Sequence, residues 1–278
     1  MRILFLGTAA AEGFPATFCN CEYCRTAKEN LSEELRTRSQ MLVDGDLLID
    51  FPADSFFHMA RNRLDFSAVK YLLVTHSHSD HFYAQELINR GYKFARDMRS
   101  EILHIYGNAE VEKVFLEGTR REMRPEVAEN VYFHKIKAGE EFAVGGYRVL
   151  SLPAKHCAGE DALVYCVEKK GKTLLYLNDT ALPDEDFYLY LTGRGIKADA
   201  VSFDCTLGDE QVSSLRHMSM YDNCRMREKL EKYGITGGFT KYYVTHFSHN
   251  CAPFRKRMDS VAAAFGLIAA HDGLEIEL

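Results

Sequence analysis

The 278-residue chain lacks any stretch that approaches the roughly twenty consecutive apolar residues a membrane-spanning helix needs, which argues against a membrane protein. It has only six prolines, and no Pro/Gly/Ser-rich tract, charge block, low-complexity segment or repeat array divides it. With 46% hydrophobic residues it can bury one large core, so a single compact domain over 1–278 is expected. It also lacks a basic excess. The net charge of −6 argues against broad electrostatic capture of nucleic acid, and Arg120-Arg121 and Arg255-Lys256-Arg257 read as solvated helix faces. The apolar start at 3–6 is too short for a secretory leader, and cleavage after it would remove a strand, so it reads as structure. Four of the eight cysteines, Cys157, Cys166, Cys205 and Cys224, are scattered singly, as expected of reduced thiols in a cytoplasmic protein.

What the chain does have is His76-Ser77-His78-Ser79-Asp80-His81, directly after the apolar run 69–75. A β-branched and aromatic run that ends abruptly in polar residues is a buried strand emptying into a loop, where α/β folds place ligand chemistry. Imidazoles and a carboxylate at this density are ligands for Zn, Mn or Fe. The alternative is a helix N-terminus capped by Ser77 or Asp80 with solvated histidines. Four ligands in six residues cannot all face one ion, because alternate side chains of an extended loop leave in different directions. Two ions are therefore expected, with His76 and His78 on one and Asp80 and His81 on the other. Further ligands should stand at other strand ends, and His156, Asp179 and His246 do. Each alone would read as a structural histidine or a turn aspartate.

Cys19, Cys21 and Cys24 place three thiols in six residues, a spacing that suits tetrahedral zinc. His249, three residues after His246, is the expected fourth ligand, with Cys251 as the alternative. Cys157 follows His156 and reads as a loop thiol rather than a nucleophile.

The order HxHxDH, His, Asp, His resembles the metallo-β-lactamase superfamily, and the resemblance covers nearly the whole chain. It implies an α/β (α+β) fold, a four-layer αββα sandwich, here with a small zinc-binding loop. It further implies one ion on His76, His78 and His156, a second on Asp80, His81 and His246, Asp179 bridging both, and Asp50 bracing the HxHxDH loop from outside the ligand set. With Gly7-Thr8, Gly13-Phe14-Pro15, the CxCxxC and His246-Phe247-Ser248-His249, the chain looks like the PhnP-type branch, the phosphoribosyl cyclic phosphate phosphodiesterases. The N-terminal segment is also similar to the PqqB branch, which departs from the intact HxHxDH retained here.

That resemblance makes a small phosphodiester, by analogy a cyclic one, the expected substrate. Two divalent ions, Mn or Zn, would activate a bridging hydroxide that Asp80 helps orient. His217 matches the substrate-facing histidine of PhnP-type enzymes and is the expected proton donor. Lys155 and Tyr83 are candidate phosphate contacts. The stretch Arg194 to Leu207 lacks the glycine- and proline-rich arm of tRNA-processing members, and the family suggests a homodimer. A thioester or lactone hydrolase and a PqqB-like role in cofactor biosynthesis are the competing readings.

Strand patterns lie near 2–6, 38–43, 47–50, 69–75, 102–106, 131–136, 147–152, 162–168, 172–178, 198–204, 240–245 and 274–278. Helical patterns lie near 53–62, 81–90, 108–121, 184–192, 219–233 and 254–265. Val-Thr-His occurs at both 74–76 and 244–246, hinting at two similar halves. Gly145-Gly146 and Asp272-Gly273 read as hairpin turns.

Overall fold

A computed structural model describes residues 1–212 and 214–278. The strands are β1 Arg2–Gly7, β2 Gln40–Val43, β3 Leu47–Ile49, β4 Tyr71–Leu73, β5 Leu103–Gly107, β6 Val131–Lys135, β7 Glu141–Val144, β8 Tyr147–Pro153, β9 Leu163–Lys169, β10 Lys172–Leu177, β11 Ala200–Asp204, β12 Lys241–Thr245, β13 Ile268–Ala269 and β14 Leu274–Glu277. The helices are α1 Glu22–Glu29, α2 Leu31–Glu34, α3 Ser55–Asn62, α4 Ala109–Thr119, α5 Pro125–Ala128, α6 Glu185–Gly193, α7 Met220–Lys232 and α8 Arg255–Ala264.

Among the described residues the strands form two seven-stranded sheets, ordered β14-β1-β2-β3-β4-β5-β6 and β13-β12-β11-β10-β9-β8-β7. Alternation along the strands builds the layers. Ile3 and Phe5 point between the sheets, where they join Tyr165, Leu174, Tyr176 and Tyr243 in one buried cluster. Leu4 and Leu6 point to the outer face with Val111 and Phe115 of α4. On the second sheet, Leu175 and Leu177 face Tyr188 and Leu191 of α6, Met226 and Leu230 of α7, and Met258 of α8. Helices on both outer faces of two packed sheets make the expected four-layer αββα fold.

Both sheets follow the same plan. In the first, β14 to β3 are antiparallel neighbours and β3 to β6 are parallel. In the second, β7 to β10 are antiparallel and β10 to β13 parallel. The two halves are thus alike, but the two Val-Thr-His segments do not correspond. One follows β4, the first strand past the antiparallel block, and the other ends β12, the second such strand, so their likeness does not reflect matched positions.

Gly145-Gly146 joins β7 to β8 as a hairpin. Asp272-Gly273 does not make one, because β13 belongs to the second sheet and β14 to the first, so this turn carries the chain from one sheet to the other. The pattern at 81–90 is not an α-helix either, since only Ala84–Asn89 turns, as a 3-10 segment.

The crossing at Asp272 is held by a buried polar knot. Asp272 Oδ1 accepts from Thr8 Oγ1 at 2.7 Å, and Oδ2 accepts from Thr37 N and Oγ1 at 2.7 and 2.6 Å. The buried Arg36 guanidinium donates to Thr8 Oγ1 and Ala270 O and lies over the Phe247 ring. Asp272→Ala should therefore cost roughly 3–5 kcal/mol, as expected when one partner of a buried charged network is removed. Urea denaturation measures this, and an unchanged midpoint would show that the knot carries no stability.

Candidate active site

The shared direction of the parallel strands puts every expected ligand on one rim. β3, β4, β10, β11 and β12 end there, and β8, antiparallel to β9 and hence co-directional with β10, ends there too. The loop after β4 brings His76 and His78 together, with Nε2 of the first 2.9 Å from Nδ1 of the second. His156, past the end of β8, closes the trio with Nε2 3.1 Å from the same His78 nitrogen. His76 and His156 are buried and His78 is exposed, so this group opens to solvent.

A second group is buried throughout. Asp80, His81, Asp179 and His246 each aim one donor atom at a common centre, all within 4.8 Å of one another. Asp179 Oδ2 stands 3.2 Å from His81 Nε2, 3.1 Å from His246 Nε2 and 3.8 Å from His156 Nε2, so it reaches toward both groups. Its other oxygen, Oδ1, is buried and has no hydrogen-bond partner among the described residues. Three ring nitrogens converging in one group and two carboxylates with two rings in the other fit divalent cations of the Zn or Mn type.

The remaining ring nitrogens are tied down from outside, which fixes their orientation. His81 Nδ1 donates to Asp50 Oδ2 at 2.8 Å, and Asp50 also accepts from Thr75 N and Oγ1 at 2.9 Å. His156 Nδ1 faces Arg216 O at 3.3 Å, and His246 Nδ1 lies 2.8 Å from Thr206 Oγ1, which donates to Asp204 Oδ1. The sequence reading missed Asp204 and Thr206, although Asp204 ends a strand as Asp50 and Asp179 do.

The electrostatics match a cation site. Burial opposes the charged form of His81, yet the carboxylates of Asp179, Asp80 and Asp50 outweigh it and hold the ring well above the ordinary histidine range. Burial likewise opposes an ionised Asp179, but the His246 and His81 rings prevail and hold it well below the usual carboxylate range. Burial keeps His76 neutral, with its lone pair free for a metal.

His217 lies beside both groups, its ring centroid 4.9 Å from that of His156 and 5.8 Å from that of His246. Asp204 Oδ2 accepts from its Nδ1 at 2.8 Å. Lys155 is engaged elsewhere, its Nζ 2.5 Å from Asp184, and Tyr83 is partly exposed at the start of the 3-10 segment. Burial and the neighbouring Glu160 push the Cys157 thiol up to about 11, which removes it as a nucleophile at neutral pH.

The cysteine loop folds against the same rim. Cys19, Cys21, Cys24 and His249 offer four donor atoms within 4.8 Å of one another, with His249 Nδ1 3.9 Å from Cys21 Sγ and 3.6 Å from Cys24 Sγ. Cys251 turns away and donates to Ser248 O. Glu12, which carried no signal in the sequence, accepts from Ser248 Oγ at 2.6 Å and His249 N at 3.0 Å. The Cys24 amide and the His249 ring draw the Cys21 thiol down to about 6, favouring the thiolate that zinc requires.

The sequence pattern of the beta-lactamase superfamily domain matches residues 46–247. The chain belongs to the metallo-β-lactamase superfamily. Over 156 residues it is 26% identical to a ribonuclease Z of Acaryochloris marina (strain MBIC 11017), a match covering 56% of this chain and 44% of that protein. The chain thus spans less than half the length of that curated relative. Its fold resembles Zn(2+)-bound PqqB from Methylobacterium extorquens (22% identity, 100% of both chains, TM-score 0.75). It equally resembles a diphosphatase from the PhnP family (20% identity, 100% of this chain and 97% of that one, TM-score 0.75). Human tRNase Z, short form, shares the superfamily fold at 16% identity, covering 100% and 99% of the two chains with a TM-score of 0.66.

The two donor sets differ in softness, imidazole and carboxylate against thiolate, and so in how firmly they hold a metal. Elemental analysis after mild chelation should leave about one zinc per chain. Cys21→Ser should remove it and lower the folding yield, because a structural zinc contributes directly to folding free energy. Complete loss of zinc from a still-folded wild-type chain would contradict this assignment.

Proposed function

We propose that this superfamily member is a metal-dependent hydrolase of a small phosphodiester, a cyclic one as in PhnP-type enzymes. The observation that supports this reading most is the Asp204–His217 pair set beside the two ligand groups. In this reading His76, His78 and His156 hold one divalent ion, Asp80, His81 and His246 hold the other, and Asp179 serves both. Ions bound there supply Lewis acidity toward a phosphoryl oxygen and acidify water.

The chain's own groups do the rest. Asp204 accepts from His217 Nδ1 and so turns Nε2 outward for proton transfer. Burial opposes the imidazolium, but the Asp204 carboxylate outweighs it and pushes His217 up to about 9, so the ring carries its proton at neutral pH. A departing alkoxide needs that proton. Asp80 lies within the buried group, 3.3 Å from His81 Nε2, where it can orient the attacking water.

Substrate size follows from what surrounds the rim. The connection between α6 and β11 runs only from residue 194 to 199, too short for the arm expected of tRNA-processing members, and the net charge of −6 offers little to a nucleic-acid backbone. The equal likeness to PqqB keeps a cofactor-biosynthesis role as the second reading. Bis-p-nitrophenyl phosphate, 2′,3′-cyclic nucleotides, a thioester and a lactone, each assayed with Mn-loaded protein, separate the alternatives. Turnover of the thioester or lactone alone would overturn the phosphodiester reading.

Two substitutions test the roles. Asp179→Ala should abolish phosphodiester turnover and deplete the exchangeable metal while sparing the thiolate-bound zinc, and near-native turnover would show that Asp179 is no ligand. His217→Ala should keep its metal yet lose about 10²- to 10⁴-fold in rate on a poor alkoxide leaving group, the range of general acid catalysis. That loss should shrink on a p-nitrophenyl ester, whose leaving group needs no proton. Equal losses on both substrates would rule out the acid role.

A further inference from the structure

We propose that Glu160 is a positioning residue that clasps the two loops supplying the solvent-open histidine trio and so sets the affinity of that trio for its ion. The inference rests on the reading of His76, His78 and His156 as one metal site. Two of these ligands come from the loop after β4 in the first sheet, and the third comes from the connection between β8 and β9 in the second. No strand pairing joins β4 to β8, so the trio depends on whatever closes the seam between them.

At the strand ends, Leu163 N donates to Thr75 O at 2.8 Å and the Tyr165 hydroxyl donates to Val74 O at 2.6 Å. At the level of the ligands the seam is closed by Glu160, four residues past His156. Its Oε1 accepts from the backbone N of Ser77 at 2.8 Å, and its Oε2 accepts from Ser77 Oγ at 2.6 Å. Ser77 stands between His76 and His78, so both of its hydrogen bonds anchor the peptide that spaces those two rings. The same Oε1 accepts from Asn108 Nδ2 at 2.8 Å. Asn108 is itself fixed, because its Oδ1 caps α4 by accepting from Glu110 N and Val111 N and its Nδ2 also donates to Asp161 O. One carboxylate therefore ties three segments together around the trio. Outer contacts of this kind govern metal affinity about as strongly as ligand geometry does, typically 10- to 100-fold per contact removed.

The test is calorimetric titration of the full chain, stripped by mild chelation, with Zn²⁺ or Mn²⁺, paired with elemental analysis. His78→Ala identifies the binding step that belongs to the trio. Glu160→Ala should weaken that same step about 10- to 100-fold while leaving the other exchangeable step and the thiolate-held zinc in place. Glu160→Gln should restore most of the affinity, because the amide oxygen still accepts from Ser77 N and Asn108 while its nitrogen can donate to a Ser77 hydroxyl that turns around. Asn108→Asp keeps the oxygen that caps α4 but replaces the donor to Glu160 with a second carboxylate, and should resemble Glu160→Ala. It also serves if Glu160→Ala fails to fold. A merely structural stitch would lower the stability of the stripped chain without selecting one binding step. Unchanged affinity for the His78-dependent step in Glu160→Ala or Asn108→Asp overturns the clasp alone. A wild-type chain with no His78-dependent step overturns the metal reading and the clasp with it.

Discussion

Two carboxylates, Asp80 and Asp179, are buried at the seam of the sandwich with only histidines as ion-pair partners among the described residues. Removing such groups from water costs on the order of several kcal/mol each unless they are paired. Among the described residues neither group has a lysine or arginine beside it, and the buried His81 ring is drawn toward the charged form only because the carboxylates are there. Divalent cations bound there would resolve this arrangement in a way protein groups alone do not. The rest of the rim follows from that requirement, because imidazoles and carboxylates that must converge on cations cannot be left free to rotate.

Rigidity comes from two levels of the fold. Strand ends set the backbone positions, and a ring of acceptors outside the ligands sets the rotamers: Asp50 behind His81, Arg216 O behind His156, and Thr206 behind His246. The cysteine loop extends this outward. His246 and His249 share one short segment, so whatever holds His249 also limits how far His246 can move. Glu12 accepts from both Ser248 and His249 within that segment, which makes the thiolate site a brace for the rim rather than a separate feature.

The convergence of these residues on one rim was legible because the candidates are local and chemically unusual: HxHxDH lies within one loop, and His156, Asp179 and His246 each end an apolar run. The layers were legible because the alternation of Ile3, Leu4, Phe5 and Leu6 assigns opposite faces. What escaped was short or non-local. β7, β13, α2 and α5, two to four residues each, are too brief for a period to emerge. Glu12, Glu160 and Asp272 are single acidic residues whose main partners lie more than fifty residues away in sequence, so no window around them carries a signal. Asp272-Gly273 has the composition of a hairpin turn, but composition specifies a reversal and not which sheet receives the next strand.

The likeness of the two halves sharpens the difference between two of their aspartates. Asp50 follows β3 and Asp179 follows β10, and these strands hold the same place in their sheets, each the last antiparallel strand before the parallel block. Their environments are nevertheless opposite. Asp50 is saturated, accepting from Thr75 N, Thr75 Oγ1 and His81 Nδ1. Asp179 has an oxygen with no hydrogen-bond partner among the described residues, and the other faces three ring nitrogens that themselves need an acceptor or a cation. A carboxylate whose lone pairs are already taken by fixed donors can orient a ligand but cannot become one. A carboxylate left short of donors in a dry site is stable only with a cation beside it. Hydrogen-bond supply thus separates the two aspartates: Thr75 provides two donors next to Asp50, and among the described residues none reaches Asp179 Oδ1.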